Sequence, residues 1–243
     1  MPTPTDPKDP AQYAAMAADP KLARLRQQLM EAAARYRYSY NFSWLGLPAI
    51  QHSEDLMALQ EIAWRVRPDA IIETGIAHGG SLVFHASMLE LLGGDGIVVG
   101  VDIDIRAHNR VEIERHPLFR RIRMIEGSSI DPCVVDQVAA QLGDRKNVLV
   151  VLDSNHTADH VLQELRHYAP FVRSGSYVVV LDTVVELMGD EFFTDRPWGR
   201  GNSPMTAVTQ FLRENDRFVI DEEFDRKLLL SVAPGGYLRC IAD

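Results

Sequence analysis

The sequence predicts an α/β fold: a doubly wound, mostly parallel seven-stranded sheet with an antiparallel last strand and an N-terminal helical extension. Three observations predict it. Seven short runs rich in Val, Ile and Leu follow one another from Asp69: DAIIETG, GIVVGVD, RIRMIEG, NVLVVLD, SYVVVLD, RFVID and KLLLSVA. Strands buried on both faces read as such continuous runs, whereas a sheet with one wet face alternates. Between the first five runs lie stretches of about 10–20 residues with helical spacing, the βαβ alternation of a parallel sheet. Almost every run ends in a carboxylate, at the edge where such sheets bind ligands.

The elements follow in order. Pro2, Pro4, Pro7, Pro10 and Pro20 remove amide donors and fix φ, so the first twenty residues are expected to be an irregular arm. From Lys21 to Tyr38, Leu22, Leu25, Leu29 and Ala33 make one apolar stripe and predict a helix. YSYNFSWLGLPAIQ, residues 38–51, reads as an ordered loop, closed by Pro48. A second helix covers Ser53 to Val66, with Ser53 as N-cap and Pro68 just beyond its end. Residues 1–66 are therefore expected to be an arm and helices packing on the core, and 67–243 the ligand-binding domain. The final two runs lie close together and are expected to pair as an antiparallel edge.

Composition narrows the function. Acidic side chains number 34 and basic ones 25, a formal charge of −9, which offers no broad attraction for nucleic acid or an anionic membrane. No apolar run approaches the roughly 18 residues that suggest a membrane span. MPTPTDPKDPAQY lacks a basic region followed by an apolar one, so no secretory signal is expected. Cys133 and Cys240 have no metal-binding spacing, and a reducing cytoplasm suits them.

The chemistry is sought at the strand ends. The first turn, ETGIAHGGS, has Gly75, Gly79 and Gly80 at GxxxGG spacing, not the GxGxxG of dinucleotide folds, and closes on Ser81. Glu73 stands just before the first glycine; a carboxylate repels phosphate and pairs with an ammonium. That favours S-adenosylmethionine over NAD. Asp102, ending the second strand, is placed to accept bonds from two ribose hydroxyls. Gly127, Ser128 and Ser129 offer small polar groups to an adenine edge; equally, Ser129 or Asp131 could cap the helix that starts at Pro132.

The fourth strand ends in LDSNHTADH, where Asp153 and His156 lie three residues apart. Asp182 ends the next strand. Two carboxylates at adjacent strand tips suit Mg2+, and an imidazole beside them suits a general base. His160 and His167 read as surface or packing residues. The stretch from Thr183 to Val208 carries Glu186, Asp190, Glu191 and Asp195 with Phe192, Phe193 and Trp198, and has the length of a functional lid. Arg196 and Arg200 could hold phosphates there, and Trp198 could stack on a sugar.

These segments together resemble the cephalosporin hydroxylase/rhamnosyl O-methyltransferase family of S-adenosylmethionine-dependent enzymes. IIETGIAHGGS, VDIDIRAHNRVEIERHP, IEGSSID, LDSNHTADHV, YAPFVRSGSYVVVLDT and DRPWGRGNSPMTAV carry the resemblance over residues 70 to about 210, with YSYNFSWLG upstream also similar. The resemblance implies a Rossmann-like methyltransferase sheet. It implies that Glu73, Gly75, Gly79 and Ser81 line the methionine side of the cofactor, Asp102 the ribose, and Ser128 and Ser129 the adenine. Asp153 is expected to touch both cofactor and metal, with His156 as base. Related metal-dependent enzymes carry a Glu-Asp pair after the fifth strand. Here it is Leu181-Asp182, so one ligand is missing, and Glu186 is the substitute expected from the loop. The implied activity is O-methylation of a sugar or glycan-precursor hydroxyl. Alternatives are a nicotinamide oxidoreductase, a tailoring enzyme for a β-lactam-like antibiotic scaffold, and a catalytically silent cofactor binder. A homo-oligomer is expected, with the N-terminal helices able to supply a dimer contact.

Overall fold

The computed structural model describes residues 9–243. The arm expected around Pro2, Pro4 and Pro7 lies outside them. Pro10 does not break structure: it is the first residue of helix α1 (Pro10–Ala18), capped by the Asp9 carboxylate, and Pro20 likewise opens α2 (Pro20–Ala34), capped by Asp19. Proline is well placed at a helix start, where its missing N–H would have no partner anyway. The two prolines therefore start helices instead of making this part of the arm irregular. After a short ribbon, β1 (Ser43–Trp44) with β2 (Leu47–Pro48), comes α3 (Ser53–Val66). Its boundaries are those expected, but His52, not Ser53, is the N-cap residue, and no side chain makes the capping bond.

The rest alternates as predicted. Strands β3 (Ala70–Thr74), β4 (Ile97–Asp102), β5 (Ile122–Glu126), β6 (Val148–Leu152) and β7 (Tyr177–Val180) are interleaved with α4 (Gly80–Leu92), α5 (Ala107–Arg115), α6 (Pro132–Leu142) and α7 (Ala158–Tyr168). α8 (Pro204–Glu214), β8 (Phe218–Ile220), α9 (Glu222–Lys227) and β9 (Tyr237–Cys240) complete the chain. The sheet order is β5-β4-β3-β6-β7-β9-β8. β3 pairs in parallel with both β4 and β6, and β9 runs antiparallel to both β7 and β8.

The continuous runs have the expected cause. Ala70 and Ile72 of β3 and Val148, Val150 and Leu152 of β6 pack against α6, α7 and α8, while Ile71, Leu149 and Val151 pack against α3, α4 and α5. Every second residue thus meets a different helical layer, and both faces are apolar. The run KLLLSVA is an exception. It is a loop, and the last strand is YLRC. Glu54 accepts from the Leu229 and Leu230 N–H groups, and the buried Asp55 accepts from the Val232 N–H and from the Ser231 and Tyr237 hydroxyls. These carboxylates on the first turn of α3 take the backbone donors that a ladder would have used. Burial pushes the Asp55 carboxyl up to about 6. Among the described residues no helix is long and apolar enough to cross a membrane.

Candidate active site

Strand order reverses at β3, because the chain moves outward to β4 and β5 and then crosses back to β6. A crevice opens at such a point, beyond the carboxyl ends of the strands. Asp102, Asp153 and Asp182 line it.

Gly75 sets its floor. It has φ +90°, and a Cβ there would lie 2.0 Å from the Asp153 carbonyl oxygen. The tips of β3 and β6 can approach this closely only without a side chain. Gly75→Ala is expected to destabilise the fold by about 3 kcal/mol or more, combining backbone strain with an overlap that rigid backbone cannot relieve. A lower urea midpoint would show it; an unchanged midpoint would mean that the two tips stand apart in solution. Gly79 also has positive φ, but its missing Cβ makes room for Ile113, and it is Gly80 and Ser81 that line the crevice. The structure gives Gly79 a packing role.

Three contiguous cavities share the crevice. One, of about 430 Å3, is lined by Gly75, Asp102, Ser128, Ser129, Asp153, His160 and Trp198. Asp102 Oδ2 accepts from the Ile76 and Ala77 N–H groups at 2.8 and 3.2 Å, which shapes the glycine turn. Asp131 caps α6 through the Cys133 N–H, so Ser128 and Ser129 are left to the cavity. His160 is not a surface residue: its Nε2 lies 3.0 Å from the Ser129 hydroxyl. A second cavity, of about 320 Å3, is lined by Ser39, Tyr40, Gln51, His52, Gly75, Ser81, Asp153, His156 and Asp182. A third, of about 470 Å3, shares Tyr40, His52, His156 and Asp182 and is walled by Tyr38, Phe192, Phe193, Arg196 and Trp198.

The junction holds Asp153, His156 and Asp182. One ligand atom from each lies within 4.8 Å of the others. His156 Nε2 is 3.0 Å from Asp182 Oδ2, and its ring meets Trp198 edge-on at 4.8 Å between centroids. Asp182 has φ 54° and ψ 21°, a left-handed conformation that side-chain-bearing residues adopt rarely and that is characteristic of functional sites. Burial, then the charges of Asp182 and Glu73, push the Asp153 carboxyl well up, against the pull of its bond from Gln51. Two carboxylates that repel each other in a half-buried site fit a divalent cation, which would relieve both the repulsion and the desolvation.

Glu186 does not join them. Its carboxylate accepts from the Gly201 N–H at 3.0 Å, the Ser203 hydroxyl at 2.6 Å and the Thr206 hydroxyl at 3.2 Å, and so ties the 199–202 turn to the start of α8. Those donors consume the oxygens that a metal would need. Leu181 is 1% exposed and belongs to the core, so no second acid replaces it.

Glu73 is fully buried, and neither of its carboxyl oxygens has a hydrogen-bond partner. Burial pushes it up to about 8, offset only in part by the Ser81 hydroxyl, which stands near it without reaching hydrogen-bond geometry. Without ligand it is therefore protonated at neutral pH, not the standing carboxylate read from the sequence.

The family model for rhamnosyl O-methyltransferase/CmcI matches residues 36–241. The chain belongs to that family. Among its relatives are rhamnosyl O-methyltransferases of Mycobacterium tuberculosis, 29% identical over 200 residues (81% of this chain and 77% of the relative), and of Mycobacterium leprae, 29% identical over 203 residues (81% and 82%). Similar solved structures include CmcI with magnesium and S-adenosylmethionine, at TM-score 0.60 and 17% identity, covering 84% of this chain and 78% of that one. Another is cofactor-bound Rv0187 from MTB, at TM-score 0.54 and 15% identity, covering 99% and 100%. In this family member the match starts just after α2, so it takes in the segment that carries Ser39, Tyr40, Gln51 and His52. Sequence reading missed these four. They flank the β1/β2 ribbon, between α2 and α3 and before β3 begins, and only the aromatic density of YSYNFSW marked that stretch.

Proposed function

We propose that this chain is an O-methyltransferase that uses S-adenosylmethionine, assisted by magnesium, to methylate a hydroxyl of a sugar or glycan precursor. The placing of Asp153, His156 and Asp182 where the three cavities meet carries the reading. The cavity at Asp102, Ser128 and Ser129 takes the adenosine, and the one at Gly75 and Ser81 the methionine. The aromatic walls of the third suit a sugar, whose C–H faces pack on rings. The name of the curated relatives and the cofactor and ion in the CmcI structure support the same assignment.

Asp153 and Asp182 would hold Mg2+, which when bound supplies Lewis-acid polarisation of the acceptor hydroxyl. His156 does the proton work. With Nε2 facing Asp182, that nitrogen carries the hydrogen and Nδ1 keeps its lone pair. The acceptor oxygen forms its bond to the methyl carbon as the sulfur–methyl bond breaks. Its proton passes to His156, and S-adenosylhomocysteine leaves as a neutral thioether. Asp182 fixes the ring and stabilises the imidazolium that forms, the role of the acid in a catalytic triad. Trp198 packs on the ring and limits water around it. Holding sulfonium and hydroxyl in line supplies much of the acceleration.

Calorimetric titration with S-adenosylhomocysteine, with and without Mg2+ and with NAD as control, tests the cofactor class. Micromolar binding of the homocysteine product and none of NAD is expected. Failure to bind it would overturn the reading. Transfer of labelled methyl to rhamnose-bearing glycans then tests the acceptor class, with a β-lactam scaffold as the competing acceptor.

A further inference from the structure

The oxygen donors of the cation site are carboxylates, and a carboxylate ligates well only if its orientation is held. For Asp182 that hold is His156. For Asp153 it is Gln51, whose Nε2 donates to Asp153 Oδ2 at 2.8 Å from 102 residues away in the chain.

Gln51 is 4% exposed and lines the cavity it shares with Asp153 and Asp182. The segment that carries it is fixed. The Ala49 N–H donates to the Phe42 carbonyl at 3.0 Å, and the His52 carbonyl accepts from the Leu56 N–H at 3.1 Å. The Pro48 carbonyl sits so close to Gly80 that a Cβ there would lie 2.3 Å from it. Gln51 therefore reaches Asp153 from a rigid base. Its Oε1, by contrast, is buried and has no partner. A buried carbonyl without a donor is costly and rare in folded proteins. With its NH2 turned to Asp153, the amide leaves its oxygen over. A residue kept only to tie the N-terminal segment to the sheet has no use for that free acceptor.

We propose that Gln51 is the positioning residue of the divalent-cation site: it pins Oδ2 of Asp153 so that Oδ1 is presented to the cation. Its own Oε1 stays open for a hydrogen-bond donor that arrives with the bound ligands. The inference rests on the magnesium-assisted reading above. The second partners of metal ligands set ligand orientation in this way, and their loss weakens metal binding.

The test uses the full chain saturated with S-adenosylhomocysteine and titrated calorimetrically with Mg2+. Gln51→Leu is expected to weaken Mg2+ binding roughly ten- to a hundredfold, and affinity for S-adenosylhomocysteine without Mg2+ by far less, about threefold or under, the loss of one cavity-lining contact. Gln51→Met keeps the length and packing of the side chain without its donor and is expected to weaken Mg2+ binding to a similar extent. Thermal unfolding of each variant without Mg2+ shows that it is folded. Unchanged Mg2+ affinity in Gln51→Leu would overturn the proposal. So would equal weakening of both ligands in both variants, the pattern of a structural strut. Should Gln51→Leu fail to fold, Gln51→Met decides: lost Mg2+ affinity supports the proposal and unchanged affinity overturns it. Wild-type protein that binds S-adenosylhomocysteine but no Mg2+ would remove the cation site and Gln51's role with it, and leave the cofactor reading standing. Wild-type protein that binds neither would remove both.

Discussion

His156→Ala is expected to lower kcat by roughly 10²–10⁴-fold, the usual contribution of a positioned general base, with little change in affinity for S-adenosylhomocysteine. The residue stands between the cofactor-side and acceptor-side cavities and is oriented by Asp182, but it is not among the residues that line the adenosine cavity. Its loss should therefore fall on the proton step and not on cofactor binding. Asp182→Asn is expected to lower kcat as well and to weaken Mg2+ binding, because Asp182 both orients His156 and is one of the two carboxylates that would hold the ion. Single-turnover methyl transfer and calorimetry on the same preparations check this. Turnover in His156→Ala equal to wild type would sink the assignment. A parallel loss of cofactor affinity would instead place the ring against the cofactor.

Glu73→Gln should have opposite effects on stability and on binding. The Glu73 carboxyl sits at about 8 in the fold against an ordinary 4.5. Between those values the folded protein holds a proton that the unfolded chain has released, so stability falls as pH rises through the window. At pH 7 the penalty is about 3 kcal/mol. Glutamine keeps the shape and removes the titration. The variant should match wild type near pH 4.5 and melt progressively higher than it toward pH 8. Asp55, up to about 6, tilts both proteins the same way, so the difference between the two curves reports Glu73 together with its effect on Asp153. With S-adenosylmethionine the order should reverse. The methionine ammonium would draw the carboxyl back to its charged form, and its loss should weaken binding roughly 30-fold or more. A melting difference that does not change with pH would show that Glu73 is ionised in the ligand-free fold.

The two outcomes are linked. Burying an unpartnered acid destabilises the free protein, and the same burial makes the acid a strong partner for a cation that displaces its proton. The crevice carries this pattern three times: Glu73 without a donor, Asp153 and Asp182 set near each other, and Gln51 with an unused carbonyl. Each is a local cost that a bound ligand would remove, and ligand-free stability is expected to be low for that reason.

The α/β class, six of the seven sheet strands and the tips at Glu73, Asp102, Asp153 and Asp182 could be read from the chain because each rests on local chemistry. A strand between two helical layers must be apolar at every position, and a turn as tight as that at Gly75 must lack a side chain. The seventh strand could not be read this way. KLLLSVA is as apolar as YLRC, and the choice between them was made by Glu54 and Asp55, some 175 residues away, which claim the loop's donors. The same holds within the site. Glu186 and Asp182 are both acids just after β7, but Gly201, Ser203 and Thr206 occupy the first, while the second turns back toward His156. Gln51, His52 and His160 carry no signal of their own, since a polar residue in a loop or on a helix acquires a role only from what the fold sets against it. Periodicity and turn chemistry are short-range and show in the sequence. Which polar group satisfies which other, across a hundred residues of chain, is settled only when packing leaves each buried donor and acceptor a single place to go.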